Sequence, residues 1–430
     1  MRDDRADLGG LRWRWLPGDG LLAPSERQAA KLERRARATV QARAGLLGAD
    51  HVETLGARFD VVRYVRARHR YEEAESQGRE LLADCRRVLG PDHSYTARAH
   101  DEVAKALTAR GRDAEAESEL RAAVAAAHPG GGHLRLLLGL TLCHQGKFDE
   151  AISLCRDVID DQRQAAGNES ALLGMSFVAN CCNMAGRHRE AEQEARAMLR
   201  ALPRPRRERR NQAWAAHAHQ HLAVALSGLG QHAAAKAEIG SALTAARSSQ
   251  GSAAQLAVSH MSAARILISL HDYDAAGRHA RDAVRKAARH HGPAHVATCH
   301  CRVVLADVLH GRNRGSEAEA ELRPVIAALP PENRVALLAR TRLAAVLRGQ
   351  ERHVEAEAEA RAAAAGLGLL FGSDHPVALS AQAELAEVLT ALGRDDAHAE
   401  RLNVLKARER VLGTDHPDTE TSRRRLNEAE

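Results

Sequence analysis

The chain repeats itself at a step of about forty residues, and this periodicity limits the fold more than any other feature. A small residue near the start of a Glu/Arg-rich stretch recurs at Ala74, Ala116, Ala151, Ala191, Ala235, Ala276, Ala318 and Ala356, with His398 in the ninth place. Three further features keep the same phase. Glu directly precedes the Ala at 73, 115, 150, 190, 317 and 355. Twelve to thirteen residues upstream lies an apolar–small pair followed four residues on by another apolar residue, as in Val103-Ala104…Leu107, Leu222-Ala223…Leu226 and Leu343-Ala344…Leu347. Between triplet and Ala sits a turn, often Gly-Arg, as at Gly186-Arg187 and Gly393-Arg394. The i, i+1, i+4 spacing puts the triplet on one helical face. Each unit is therefore a helix A, a short turn and a helix B.

Composition agrees with an all-α reading. Aromatic residues are 3% of the chain and hydrophobic ones 44%, so the core is built from Ala, Leu and Val, which let helices approach closely and leave little material for a sheet.

This pattern resembles the tetratricopeptide repeat (TPR) family. The small residues of the triplet and of helix B match the two places where the paired helices touch, and larger side chains there would force the backbones apart. Most units here are near 42 residues, longer than the usual 34. The added length recurs with a connector: Leu89-Gly90-Pro91-Asp92-His93, Phe371-Gly372-Ser373-Asp374-His375-Pro376 and Leu412-Gly413-Thr414-Asp415-His416-Pro417. In it Gly is read as closing helix B and Asp as capping the next helix. Such long repeats are similar to those of kinesin light chains and many bacterial regulators. The resemblance implies a right-handed α-α superhelical solenoid of about nine helical hairpins over residues 52–421, within a solenoid domain of 25–430. Residues 25–47 read as an N-terminal capping helix and 418–430 as a partial C-terminal one. Residues 1–24, with Trp13, Trp15 and Pro17, fit no repeat.

The excluded classes are informative. Seven cysteines, an odd number without a CxxC pair, indicate neither a disulfide framework nor a zinc site, and free thiols fit a cytoplasmic setting. No apolar run is long enough to span a bilayer, and the N-terminus lacks a signal-peptide core. Gly146-Lys147 has no correctly spaced upstream Gly for a phosphate loop. Gly174-Met175-Ser176-Phe177-Val178 lacks the closing Gly of a nucleophile elbow. Neither an enzyme nor a cofactor is expected.

Function should then sit on the inner surface, which helix A lines in such solenoids. Leu136, Leu137, Leu140 and Phe177 there are either a peptide pocket or part of the core between hairpins. Asn180, His217, Gln220, His221, Met261 and Arg265 extend the candidate groove. Asp60 and Glu102 would repel an acidic terminus. His217 and His221, four apart on one helix, are half of a metal site with no third ligand to nominate. The stretch Pro203 to Arg210, with Arg204, Arg206, Arg207, Arg209 and Arg210, is either a solvated loop or a contact for an acidic partner or nucleic-acid phosphates. The net charge of +6 is interspersed along the chain, so nucleic acid is not favoured and no membrane partner is expected. The leading expectation is an adaptor that holds a peptide or partner helix in the groove. The alternatives are a peptide-responsive sensor that changes shape on binding, and a binder of acidic polymers through the Arg204–Arg210 loop.

Overall fold

The computed structural model describes residues 26–110, 112–126, 132–162, 169–202, 209–248 and 253–428. Among them are twenty helices and no strand. Helix α1 (Glu26–Leu47) precedes nine hairpins. Their A helices are α2 (Val52–Ala67), α4 (Ser94–Ala109), α6 (Gly132–His144), α8 (Glu169–Met184), α10 (Arg209–Gly228), α12 (Ala253–Ser269), α14 (Val296–Gly311), α16 (Arg334–Gly349) and α18 (Pro376–Ala391). Their B helices are α3 (Tyr71–Leu89), α5 (Asp113–Ala126), α7 (Phe148–Gln162), α9 (His188–Ala201), α11 (His232–Ser248), α13 (Tyr273–His291), α15 (Gly315–Ala328), α17 (His353–Phe371) and α19 (Ala397–Leu412). Helix α20 (Pro417–Asn427) follows. The 1–24 tail lies outside the described residues.

The chain divides into two compact bodies. Among the described residues, one comprises 26–144 and 149–177, the other 145–148 and 178–428. Within the first, α2 packs on α4 and α4 on α6; within the second, α10, α12, α14, α16 and α18 each pack on the next. The architecture is an all-α solenoid of stacked hairpins.

Small side chains set the distance between the paired helices. Ala74, Ala116, Ala151, Ala191, Ala235, Ala276, Ala318 and Ala356 are all fully buried. The triplets are buried too, except Leu385, which is half-buried. At Gly139, a Cβ would stand 2.6 Å from the Cys155 sulfur and 3.4 Å from the Ala151 carbonyl. Even alanine is too large there. The ninth position departs from the expected series: His398 is exposed and Ala397 takes the buried place. A charged-capable ring could not fill a contact sized for a methyl group.

The helix ends follow from local chemistry. Every described A–B turn passes through one residue at positive φ: His69, Gly146, Gly186, Gly230, His271, Asn313, Glu351 and Gly393. The following amide donates back to the carbonyl of the triplet's last residue, as in Arg187 to Cys182 (2.8 Å) and Arg352 to Leu347 (3.0 Å). This is the six-to-one bond of a left-handed helix stop.

Connectors differ from expectation in an instructive way. Gly48, Gly90, Gly292, Gly372 and Gly413 close the preceding helix at positive φ, but the N-cap is the histidine, not the aspartate. His51, His93, His295, His375 and His416 each accept the amide two residues on at Nδ1, over 3.1–3.3 Å. Asn333 does the same through Oδ1 at 2.9 Å. Imidazole Nδ1 sits where an Asn or Asp oxygen would, so it satisfies the same orphan donor. Two connector aspartates instead meet an arginine of the repeat that follows, Asp50 with Arg87 and Asp374 with Arg410, both at 2.7 Å, while Asp415 accepts from Thr414 at 3.1 Å.

Ala344→Leu should lower stability by about 1–3 kcal/mol, because the contact cannot widen without moving a hairpin. Val354→Ala, at a 75% exposed residue, should change it by less than about 0.5 kcal/mol. Equilibrium denaturation checks both.

Candidate ligand-binding surface

In the first body, adjoining A helices are tied by charge. The Arg66 guanidinium donates to the buried Glu102 carboxylate at 2.7 and 3.3 Å. Lys105 donates to Asp101 at 2.6 Å, and His133 Nε2 lies 3.4 Å from the same oxygen. Burial alone would raise the Asp101 carboxyl, but the bonds from His133 and Lys105 hold it below the usual carboxylate range. Glu102 therefore does not present the bare repelling charge expected from sequence, since the preceding hairpin neutralises it. Leu136 and Leu140 are buried. Leu136 packs across to α8, its Cδ2 only 3.4 Å from where a Gly174 Cβ would be. These two leucines belong to the packing between helices. Leu137 and Phe177 are half-buried and keep an open side.

In the second body, polar contacts between A helices take over. Asn183 donates to the His221 carbonyl at 3.1 Å, and Gln220 Nε2 to Ser259 Oγ at 3.3 Å. Asn180 points back along its own helix to the Met184 sulfur at 3.5 Å. Met261 is fully buried and is core rather than surface. His217 and His221 are half-buried on α10. Burial lowers the pKa of both, and His217 helps push His221 down to about 3. Both are neutral at pH 7. Among the described residues no group of three or more metal-ligating side chains exists.

Arginines dominate further along. Arg265 donates to His300 Nε2 at 3.1 Å, Arg342 pairs with Asp307 at 3.0 Å and Arg348 with Glu384 at 3.0 Å. Each bridge spans successive A helices, so these groups share the A-helix face. The sequences of α10, α12, α14 and α16 hold eight arginines and one carboxylate, Asp307. Two of the eight turn away to the B helices, Arg302 to Glu321 at 2.7 Å and Arg340 to Glu359 at 2.6 Å. Burial lowers Arg265, and Arg342 lowers it further, while Asp307 opposes. Arg334 is pushed down to about 10 by burial. Both residues are half-buried, and burial disfavours the charge that each guanidinium carries. From sequence, Arg265 and Arg342 are expected as polar anchors on the inner surface. Comparing charge on A helices with charge on B helices would have found the rest. The loop at 203–208, with Arg204, Arg206 and Arg207, lies outside the described residues. Arg209 and Arg210 open α10.

Models of the tetratricopeptide repeat family match residues 53–127, and separately 134–171 and 378–418. The chain is a TPR protein. Among curated proteins, no sequence matches it. Solved structures share the repeat architecture at low identity. The apo form of the quorum sensor NprR from B. thuringiensis aligns over 83% of this chain and 99% of its own, at 16% identity and a TM-score of 0.49. A Rap protein complexed with competence and sporulation factor aligns over 88% and 100%, at 13% and 0.48. A putative kinesin light chain from Podosopora anserina, with nearly identical TPR-like repeats, aligns over 43% and 97%, at 20% and 0.34. No helix among the described residues is long and apolar enough to cross a membrane.

One position of this TPR chain links the hairpins to pH. A basic group on helix A meets a Glu nineteen residues later on helix B, as in His100–Glu119 (2.6 Å), His219–Glu238 (2.5 Å) and the two arginine pairs above. In the sixth hairpin His279 replaces that Glu, and the two Nδ1 atoms of His260 and His279 are 3.0 Å apart. Burial, with the neighbouring His279, pushes His260 down to about 4. An unfolded His titrates near 6.5, so the unfolded chain takes up the proton first. Stability from this site is intact above pH 6.5 and falls as pH drops from there towards 4. His279→Glu, which swaps a neighbour that lowers the His260 pKa for a carboxylate that opposes the effect of burial, should flatten this dependence. Thermal unfolding from pH 7.5 to 5 reads the difference in slope.

Proposed function

We propose that the chain is a non-enzymatic protein–protein interaction scaffold, and that its second body holds a polypeptide segment bearing acidic side chains against helices α10 to α16. The TPR fold supports the general reading, since stacked hairpins offer a long surface and small repeat modules rather than a catalytic cavity. The observation that carries the finer reading is the cluster of Arg265, Arg342 and Arg348 on the A-helix face, where Arg265 meets His300 and the other two meet Asp307 and Glu384. A carboxylate brought to Arg265 or Arg334 would add a charge-assisted hydrogen bond to a guanidinium whose charge burial disfavours. His217, His221 and Gln220, neutral and half-buried, can donate or accept hydrogen bonds to a backbone laid along α10. Leu137 and Phe177, half-buried in the first body, are proposed as apolar contacts for a partner of that body.

The test uses two fluorescent ten-residue peptides, one alternating Glu with Leu and the other Lys with Leu. The acidic peptide should bind and the basic one should not. Arg265→Gln and Arg334→Gln should each weaken binding by about tenfold, the scale of one charge-assisted hydrogen bond of ~1.5 kcal/mol. Equal binding of both peptides, or indifference to both substitutions, would refute the reading.

A further inference from the structure

Two contacts join residues six hairpins apart in the second body, and no local interaction requires them. Gly146, in the turn between α6 and α7, faces Pro376 and Val411: a Cβ there would lie 3.4 Å from Pro376 Cγ and 3.1 Å from Val411 Cγ1. Gly186, in the turn between α8 and α9, faces Pro417, with its Cδ 3.0 Å from the place of a Cβ. The step from glycine to proline is nearly the same both times, from 146 to 376 and from 186 to 417. Each contact thus sets a hairpin turn against the connector six hairpins later. A hydrogen bond adds to the second contact. His416 accepts the Asp418 amide at Nδ1, which leaves the proton on Nε2, and Nε2 donates to the Met184 carbonyl at 2.8 Å.

The sequence marks these two places. Gly230 and Gly393 occupy the same turn position, and a Cβ on either would meet nothing within 4 Å. His69, His271, Asn313 and Glu351 hold that position with full side chains. Among the described A–B turns, close approach calls for glycine only at 146 and 186. In the same way, among the described connectors proline follows the capping residue only in the two that land there, whereas Val52, Ser94, Val296 and Arg334 follow it elsewhere. Proline suits the first position of any helix, but the pairing of proline with a bare glycine is confined to these contacts.

We propose that Gly146–Pro376 and Gly186–His416–Pro417 form a latch that holds successive edges of the coil together and controls access to the A helices it encloses. The inference builds on the proposed binding surface by naming the form of ligand. While latched, the surface takes a short peptide or a free chain end and excludes an internal segment of a folded partner. Unlatching admits the latter.

His416→Asn with Pro417→Ala isolates the latch from the helix cap, because Asn333 already performs the same capping in this protein. His93→Asn, at a capping histidine of the first body, is the control. All seven native cysteines are buried, so introduced cysteines can be labelled selectively. Spin labels at the exposed positions Arg189→Cys and Glu420→Cys should give one short, narrow distance in the parent and the control, and a longer, broader one in the latch variant. A cysteine at the half-buried Ser262 should react readily with a small maleimide. It should react several-fold more slowly with one carrying a long polyethylene glycol chain, and unlatching should remove that difference. Pro417→Ala alone provides a milder variant with the histidine bond intact. A parent distance that is already long and broad, or equal labelling by both reagents in the parent, overturns the latch. Neither measurement uses a peptide, so failure of the acidic peptide to bind would strike the proposed function alone.

Discussion

The contact between a methyl group on helix A and a methyl group on helix B underlies everything else in this molecule. Its length scale is fixed by alanine or glycine, as at Gly139 beside Cys155, and the close approach lets neighbouring leucines and valines interlock around it. Each fully buried leucine contributes about 1.5–3 kcal/mol, but only while the paired backbones stay near enough for both sides of the side chain to find partners. A solenoid has no central core to compensate for a weak unit, since each hairpin leans mainly on its neighbours.

Given that scaffold, charge is distributed by surface. Outer and lateral faces carry Glu/Arg pairs one or two helical turns apart, solvated and individually weak. The A-helix face is different in the two bodies. In the first, acids and bases balance through Arg66, Glu102, Asp101 and Lys105. In the second, arginines outnumber carboxylates and imidazoles are held neutral by burial. Neutral histidines cost little to enclose, whereas burial disfavours the charge of an enclosed guanidinium and so favours an anion beside it. The contrast gives the second body a chemical preference that the fold alone does not confer.

Much of the architecture was readable in the residues. The period, the triplets, the turns and the connectors place the nine hairpins close to where the helices fall, because each signal is local: a helical face, a left-handed stop, a capped start. Where local reading failed, two residues competed for one role. Aspartate and histidine adjoin in every full connector, and both can cap; backbone geometry gives the cap to imidazole and, in two connectors, sends the carboxylate to an arginine of the repeat that follows. At the ninth B helix, Ala397 and His398 competed for the buried place, and the start of α19 shifted in favour of the smaller side chain.

The sequence by itself determined that the chain is a row of helical hairpins, since period and helical phase are properties of short stretches. Tertiary structure decided which inner residues are covered and which stay open. Leu136 and Met261 are sealed within the packing while Leu137 and Arg265 keep access to solvent, although all four lie on A helices. It also decided that a proline near the end of the chain rests on a glycine six hairpins earlier. That outcome depends on the small rotation between one hairpin and the next, summed over many units. No single stretch of sequence encodes the sum.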